Sequence, residues 1–401
     1  MVIYLFFSIF LALQAQRMIG GKPTPKSLSC PSGAVCPKKL RHLLRNGGCA
    51  IVVCRKLLAP MGMQKSRNFI FSILLRFNLI PELKLVRRMT GNNPVFTPNG
   101  GIILSRPNIC PEHVENKELM YGDLFELFMS LSDKSPIFRY ASLGMNTPIQ
   151  VIGMHPSGKL FFIGCYNIHG THSLVCYRFA ENDEIVHHEI LPGHRDSVNG
   201  IAVDSAGNFM VSGSSKEVIL WRISKKLDIS IFGIYNFGMT TLCLAFHPKK
   251  LILAAGGWCN NASLWEVEPN GIEHRLLDLS GHKSYILDVK FLSESTVVTA
   301  SADKTIIISK ISSDFKKCMS FNIIRAHHDR IYSLCIDTNR RVMVSASEDK
   351  TLIFWWLSVD NSSATQIQVL DGHHYGVQQV RFDPSGRQLV SSGWNELIVW
   401  E

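Results

Sequence analysis

The chain has 401 residues, 46% hydrophobic and 18% charged, a balance that excludes general disorder and predicts extensive burial. Its net charge of +10 sits at one end: residues 1–90 hold fifteen Lys and Arg against a single acid, Glu82, which leaves −4 for the remainder. Beyond residue 90 there is therefore no electrostatic argument for DNA or RNA binding, whose affinity rests on neutralising phosphates.

In chain order, residues 2–13 form an apolar run ending near Ala12 and Ala15. It resembles the core of a secretory signal, but no basic residues precede it, and it is shorter than the roughly 20 apolar residues that span a bilayer. A signal, a short hydrophobic anchor and a start without ordered structure all stay open. Cys30, Cys36, Cys49 and Cys54 surround His42, but the gaps contain no tight Cys-x2-Cys knuckle, so no metal site is expected. Lys38, Lys39, Arg41 and Arg45 alternate with leucines, and residues 69–80 are mostly apolar, a pattern that would suit an anionic membrane surface. We read residues 1–80 as a basic, loosely packed extension, with membrane tethering through it as the alternative.

From residue 81 onward the pattern changes to short alternating runs between turn residues, the mark of antiparallel strands. Residues 83–89 read as an outer strand. Residues 96–105, turning at Pro98-Asn99-Gly100, read as two inner strands, and residues 123–129 as a third. The loop at 106–122, with Cys110, His113 and Glu115, is long for a simple connection. From residue 154 the same unit recurs, and its last large residue falls at Tyr177, Trp221, Trp265, Ser309, Trp355 and Trp400. Self-similarity at this period is the signature of propeller blades. The final strand reaches Trp400 with no outer strand after it, so residues 83–89 are expected to pair there and close the ring.

The units share a Gly-His turn, at Gly193-His194, Gly281-His282 and Gly372-His373, with Ala326-His327 a close variant. Asp303-Lys304-Thr305 and Asp349-Lys350-Thr351 supply an Asp turn, and Trp221, Trp265, Trp355 and Trp400 a terminal Trp. On these residues the chain resembles the WD-repeat family. The resemblance implies an all-β, seven-bladed propeller over residues 81–401, with a His, Ser or Thr, Asp and Trp network inside each blade. Mapped onto this sequence, the network takes His327, Ser345, Asp349 and Trp355 in the sixth unit and His282, Thr299 and Asp303 in the fifth, where Ser309 replaces Trp. In the third unit it takes His194 and Trp221, with Ser215 in place of Asp; His373 and Trp400 belong to the last. Histidines recurring at the blade period are structural, so no catalytic residues, metal or cofactor are assigned.

The resemblance also places the Gly-His turns and the turns before each third strand on one face. Trp258 and Trp394 lie outside the strand alternation there, Tyr285, Arg330, Tyr332 and Tyr375 follow the Gly-His turns, and Arg195 is adjacent. Aromatic residues and Arg anchor protein interfaces. The expectation is a non-catalytic, monomeric scaffold in the cytoplasm or nucleus that binds protein or peptide partners. A propeller-based enzyme is the rival from another class. The cysteines after residue 150 (Cys165, Cys176, Cys243, Cys259, Cys318, Cys335) read as buried reduced thiols, which favours an intracellular setting.

Overall fold

The computed structural model divides the chain into two units, Met1–Pro81 and Glu82–Glu401. Structure is described for residues 84–89, 92–96, 102–106, 124–128, 138–142, 149–166, 174–179, 185–215, 217–268, 271–394 and 396–401. The expectations for residues 1–80 and the loop at 107–122 lie outside the described residues. Among the described residues there is no helix, hence none long and apolar enough to cross a membrane.

Every described strand belongs to one of seven antiparallel sheets of four strands, each a meander of neighbours in sequence apart from one exchange at the end. In chain order the sheets cover residues 92–142, 149–190, 200–235, 241–279, 286–325, 331–370, and 377–400 with 85–89; we number them one to seven. Sheets two to seven are described through most of their side chains and form blades of a β-propeller. Sheet one is described almost wholly as backbone: Asn92–Phe96, Ile102–Arg106, Leu124–Phe128 and Phe138–Ser142. Its first strand begins at Asn92, earlier than the expected residue 96. A register shift between Asn92 and Val95 accompanies a left-handed Asn93, so residues before the expected start are drawn into the strand.

Burial explains the strand order within a blade. Second strands such as Leu160–Cys165, Thr296–Ser301 and Val342–Ser347 are buried along their whole length, because a neighbouring blade covers each side. Outer strands meet solvent, and Cys318–Arg325 exposes its first four residues. That placement corrects the reading of the cysteines: Cys165, Cys176 and Cys243 are buried, Cys259 and Cys335 half-buried, and Cys318 exposed on the outer edge. The core lies between blades. Val298, Ile306 and Ile308 of blade five interdigitate with Ile331, Leu334, Met343 and Trp355 of blade six. Each such aliphatic side chain contributes about 1.5–3 kcal/mol when fully buried.

Blade seven holds the closure. Leu85–Met89 pairs antiparallel with Glu396–Trp400, Leu85 opposite Trp400 and Met89 opposite Leu397. Lys84 and Glu401 exchange backbone hydrogen bonds of 2.7 and 2.9 Å. A charged clasp reinforces the seam: the Arg88 guanidinium meets the buried Glu396 carboxylate and donates to the Gly372 carbonyl at 2.6 Å. On the inner side Asn92–Phe96 lies beside both Ile149–Met154 and Val377–Phe382. There Gln379 Nε2 donates to Asn93 Oδ1 at 2.8 Å, and Asn93 Nδ2 to the Ile149 carbonyl at 2.9 Å.

Replacing Arg88 by Ala leaves a buried carboxylate without its cation. We expect a loss of about 2 kcal/mol by denaturant titration, with faster proteolysis near residue 84 and partial recovery in Arg88→Lys. An unchanged midpoint would show that backbone pairing alone holds the seam.

Candidate partner-binding face

In blades three, five, six and seven the turn is organised by a buried polar relay, complete in blade six. Asp349 Oδ2 accepts from His327 Nδ1 at 2.9 Å and from the His328 amide at 2.7 Å, while its Oδ1 accepts from Thr351 Oγ1 at 2.6 Å. With the proton of His327 on Nδ1, its Nε2 accepts from Ser345 Oγ at 2.7 Å, and Ser345 in turn accepts from Trp355 Nε1 at 2.8 Å. Burial alone would raise the Asp349 carboxyl, but the bonds from His327 and Thr351 outweigh it and hold it well below the usual range. Blade five repeats the arrangement with His282, Thr299 at 2.8 Å and Asp303 at 3.0 Å. Ser309 is buried at the Trp position there, and Thr299 has no indole donor.

The other blades vary the relay. In blade four Phe237 stands where His belongs and Ala255 where Ser belongs; Phe237 stacks on Trp265 at 4.1 Å and 5°, and the indole donates instead to Ser263 at 2.7 Å. Both polar partners are exchanged together for apolar ones, which costs little, whereas removing one alone would strand the other. Blade seven uses Glu396, which the sequence pattern missed because the turn is one residue shorter than in blade six. Its Oε2 accepts from His373 Nδ1 at 2.8 Å and from the His374 amide at 3.0 Å, and Ser391 links His373 to Trp400. Blade three shares the short turn, so Glu217, more than Ser215, occupies the acceptor position. Glu217 lies against the Ser214 hydroxyl, and His194 Nδ1 is buried without a partner while Nε2 meets Ser212, the acceptor of Trp221. Burial lowers the His194 pKa to about 4.

The meander brings the turns between second and third strands to the same end of each blade as the loops entering the inner strand. The relays underlie this face, and large side chains rise from it: Trp258 is 62% exposed, Tyr285 50%, Tyr375 58% and Trp394 71%. The structure brings them together in two places. Trp258 of blade four and Tyr285 of blade five have ring centroids 6.1 Å apart, tilted by 30°. Tyr375 and Trp394 line a cleft of about 390 Å³ with Gly376, Gln378, Glu348 and Lys350, between blades six and seven. A Cβ at Gly376 would displace the Glu348 carboxylate and press on its Cα, so the glycine leaves that side of the cleft to Glu348. Arg195 and Arg330 are exposed, but Tyr332 is half-buried. Burial and the neighbouring Glu348 carboxylate, which it hydrogen-bonds, raise the Tyr332 hydroxyl. Among the described residues no group of three or more His, Cys, Asp or Glu is placed to hold a metal.

A family model described as WD domain, G-beta repeat matches residues 186–222, 274–308, 317–355 and 364–401. Each stretch runs from the outer strand of one blade through three strands of the next, and the four contain His194, His282, His327 and His373. The chain is similar to the Ribosome biogenesis protein WDR12 homolog of Drosophila mojavensis, 24% identical over 210 residues, covering 46% of this chain and 48% of that protein. It is also similar to the homolog of that name from Aedes aegypti, 24% over 148 residues, 30% of this chain and 34% of the other. The guanine nucleotide-binding protein subunit beta of Schizosaccharomyces pombe is 22% identical over 146 residues, 36% of this chain and 45% of that protein. The matches thus span less than half the length of each of these relatives.

Two outcomes follow from the relay geometry. Ser345→Ala strands His327 Nε2 and Trp355 Nε1 together and should cost about 2–3 kcal/mol in thermal or denaturant unfolding; a loss below about 0.5 kcal/mol would refute the relay. In blade three, an unfolded histidine gains its proton near pH 6.5 and the folded His194 only near 4, so its contribution to stability is lost as pH falls through that window. Ser214→Ala frees Glu217 to accept from His194 Nδ1, which should move the ring's NMR titration upward and narrow the window; a ring still titrating near 4 would show that Glu217 does not swing across.

Proposed function

We propose that this chain, which belongs to the WD-repeat family with its subfamily unassigned, is a non-catalytic scaffold that docks protein or peptide partners on the face bearing Trp258, Tyr285, Tyr375 and Trp394 and assembles a multiprotein complex. In this reading the sheet at residues 92–142 is the first of seven blades, and residues 81–401 act as one monomeric binding module. The observation that carries the proposal is the contrast on that face. The titratable groups beneath it, His282, Asp303, His327, Asp349, His373 and Glu396, are tied into blade relays, while four large aromatic side chains stand at least half exposed above them.

Aromatic anchors of this kind bury large areas at little entropic cost, which is why a few of them dominate interface energetics. A catalytic reading would need titratable groups free to face a substrate, and here they face one another. Of the three similar proteins, one is by its name a subunit and two are ribosome biogenesis proteins, and both names suit a chain that works in assemblies. A nuclear or cytoplasmic setting fits the same reading.

The experiment is affinity purification of the tagged full-length chain from its own cells, beside a Trp258→Ala, Tyr375→Ala, Trp394→Ala variant, with partners identified by mass spectrometry. A defined partner set present on the wild type and lost from a variant of unchanged melting temperature is the expected result. Partners retained in full by the folded variant would move the site away from this face.

A further inference from the structure

We infer that the partner segment is an acidic peptide carrying one large apolar side chain, an inference that rests on the docking face proposed above and specifies its ligand. The argument starts from how charge is distributed. Residues 91–401 carry a net −4, so an average surface of this module is mildly acidic. The aromatic face is not. Among its described residues Arg195, Lys283, Lys304, Arg330 and Lys350 are exposed, against exposed acids only at Glu348 and Asp371.

The asymmetry follows from the relays. Asp303 and Asp349 accept from histidine, threonine and backbone amides inside their blades. Asp196 and Asp329 turn back on the Ser197 and Arg330 amides at 2.8 Å each, and Glu217 lies against Ser214. Of the basic residues, Lys304 donates its Nζ to the His328 carbonyl at 2.7 Å and Arg330 hydrogen-bonds the Tyr332 hydroxyl, and both stay exposed. Folding thus ties down the carboxylates of these turns and leaves the cations outward.

An apolar seat lies beside one of these cations, Lys350. The cleft between blades six and seven has Tyr375 and Trp394 on its walls and the bare Gly376 backbone at its side, with the exposed Gln378 amide as a hydrogen-bonding group. Lys350 lines the same cleft, and Arg330 stands near Tyr332 and Glu348 at the adjoining turn. An inserted apolar side chain flanked by Asp or Glu would place hydrophobic area in the cleft and carboxylates toward Lys350 and Arg330. The acidic remainder of the module would repel the same peptide elsewhere, which adds selectivity to affinity. A single-stranded nucleic acid also combines anions with flat apolar groups, but it carries a phosphate at every nucleotide. Glu348 in the cleft and Asp371 at the preceding loop would oppose that regular charge, and a peptide can set its acids to avoid them.

The test pans a random peptide library displayed on phage against the immobilised full-length chain and counter-selects against the Tyr375→Ala, Trp394→Ala variant. Acid-rich sequences sharing one Leu, Met or aromatic position are expected. A labelled peptide from that pool should bind at least about tenfold more weakly to the variant Arg195→Glu, Lys283→Glu, Arg330→Glu, Lys350→Glu. If that variant does not fold, wild-type affinity falling steeply with added salt gives the same reading. A basic or neutral consensus, or affinity indifferent to salt, overturns the inference, as does an oligouridine strand that binds tightly and displaces the peptide. Should native partners still be lost from the aromatic variant while the selected peptides show no acidic bias, the docking face stands and the acidic ligand falls. If native partners are retained by that variant, both fall.

Discussion

A ring of sheets is stable only when its last sheet finds a fourth strand, and here one buried carboxylate ties that strand to everything else. Glu396 accepts from His373 and the His374 amide on one oxygen and meets Arg88 of the closing strand and His374 on the other. The group that completes the relay of blade seven is therefore the group that receives the strand from the far end of the module. Opening the seam would expose a hydrogen-bonding edge and leave a desolvated carboxylate at once, so closure and blade order are coupled. Backbone pairing over Leu85–Met89 supplies direction and register, and the charged clasp makes one register better than its neighbours.

The same logic governs the other blades. A relay of His, Ser or Thr and an acid is stabilising only when every member has its partner. Blade six satisfies that condition; blade four satisfies it by abandoning polarity, with Phe237 on Trp265 and Ala255 beneath. Blade three falls between, with His194 Nδ1 buried and unpaired. Contacts between blades add a second tier at the opposite end, where His155 Nε2 reaches the Gly207 carbonyl at 2.9 Å and His247 Nε2 the Glu294 carbonyl at 3.0 Å. These two histidines share one repeat position, before a Pro in the turn after an inner strand, outside the Gly-His pattern.

What could be read before the structure was whatever repeats. Strand alternation, the terminal Trp series and the Gly-His turns located the blades, and Asp303 and Asp349 announced themselves through identical Asp-Lys-Thr turns. Substitutions that keep a function while changing its spacing were not legible. Glu396 does the work of an Asp one residue out of phase, because a shorter turn brings a longer side chain to the same histidine. Tyr332 fitted the pattern of an exposed anchor, yet its hydroxyl folds onto Glu348 in the next turn, a contact that no single-repeat pattern encodes.

The face inherits its character from what lies beneath it. A turn that binds its own carboxylates to backbone amides and histidines needs no external cation to neutralise them, so the lysines and arginines of the same loops remain available to a ligand. Aromatic residues stand where short turns carry a side chain beyond the last paired strand residue, as Trp258 does after Gly257 and Trp394 after Gly393. In both turns the glycine backbone closes against the entering loop of its own blade, Thr240 in one and Gly376 in the other, so no Cβ fits there and the next side chain is turned outward. In blade seven the rigid relay below and the outward aromatic above are two outcomes of one turn geometry, and a substitution at Gly393 would disturb both together.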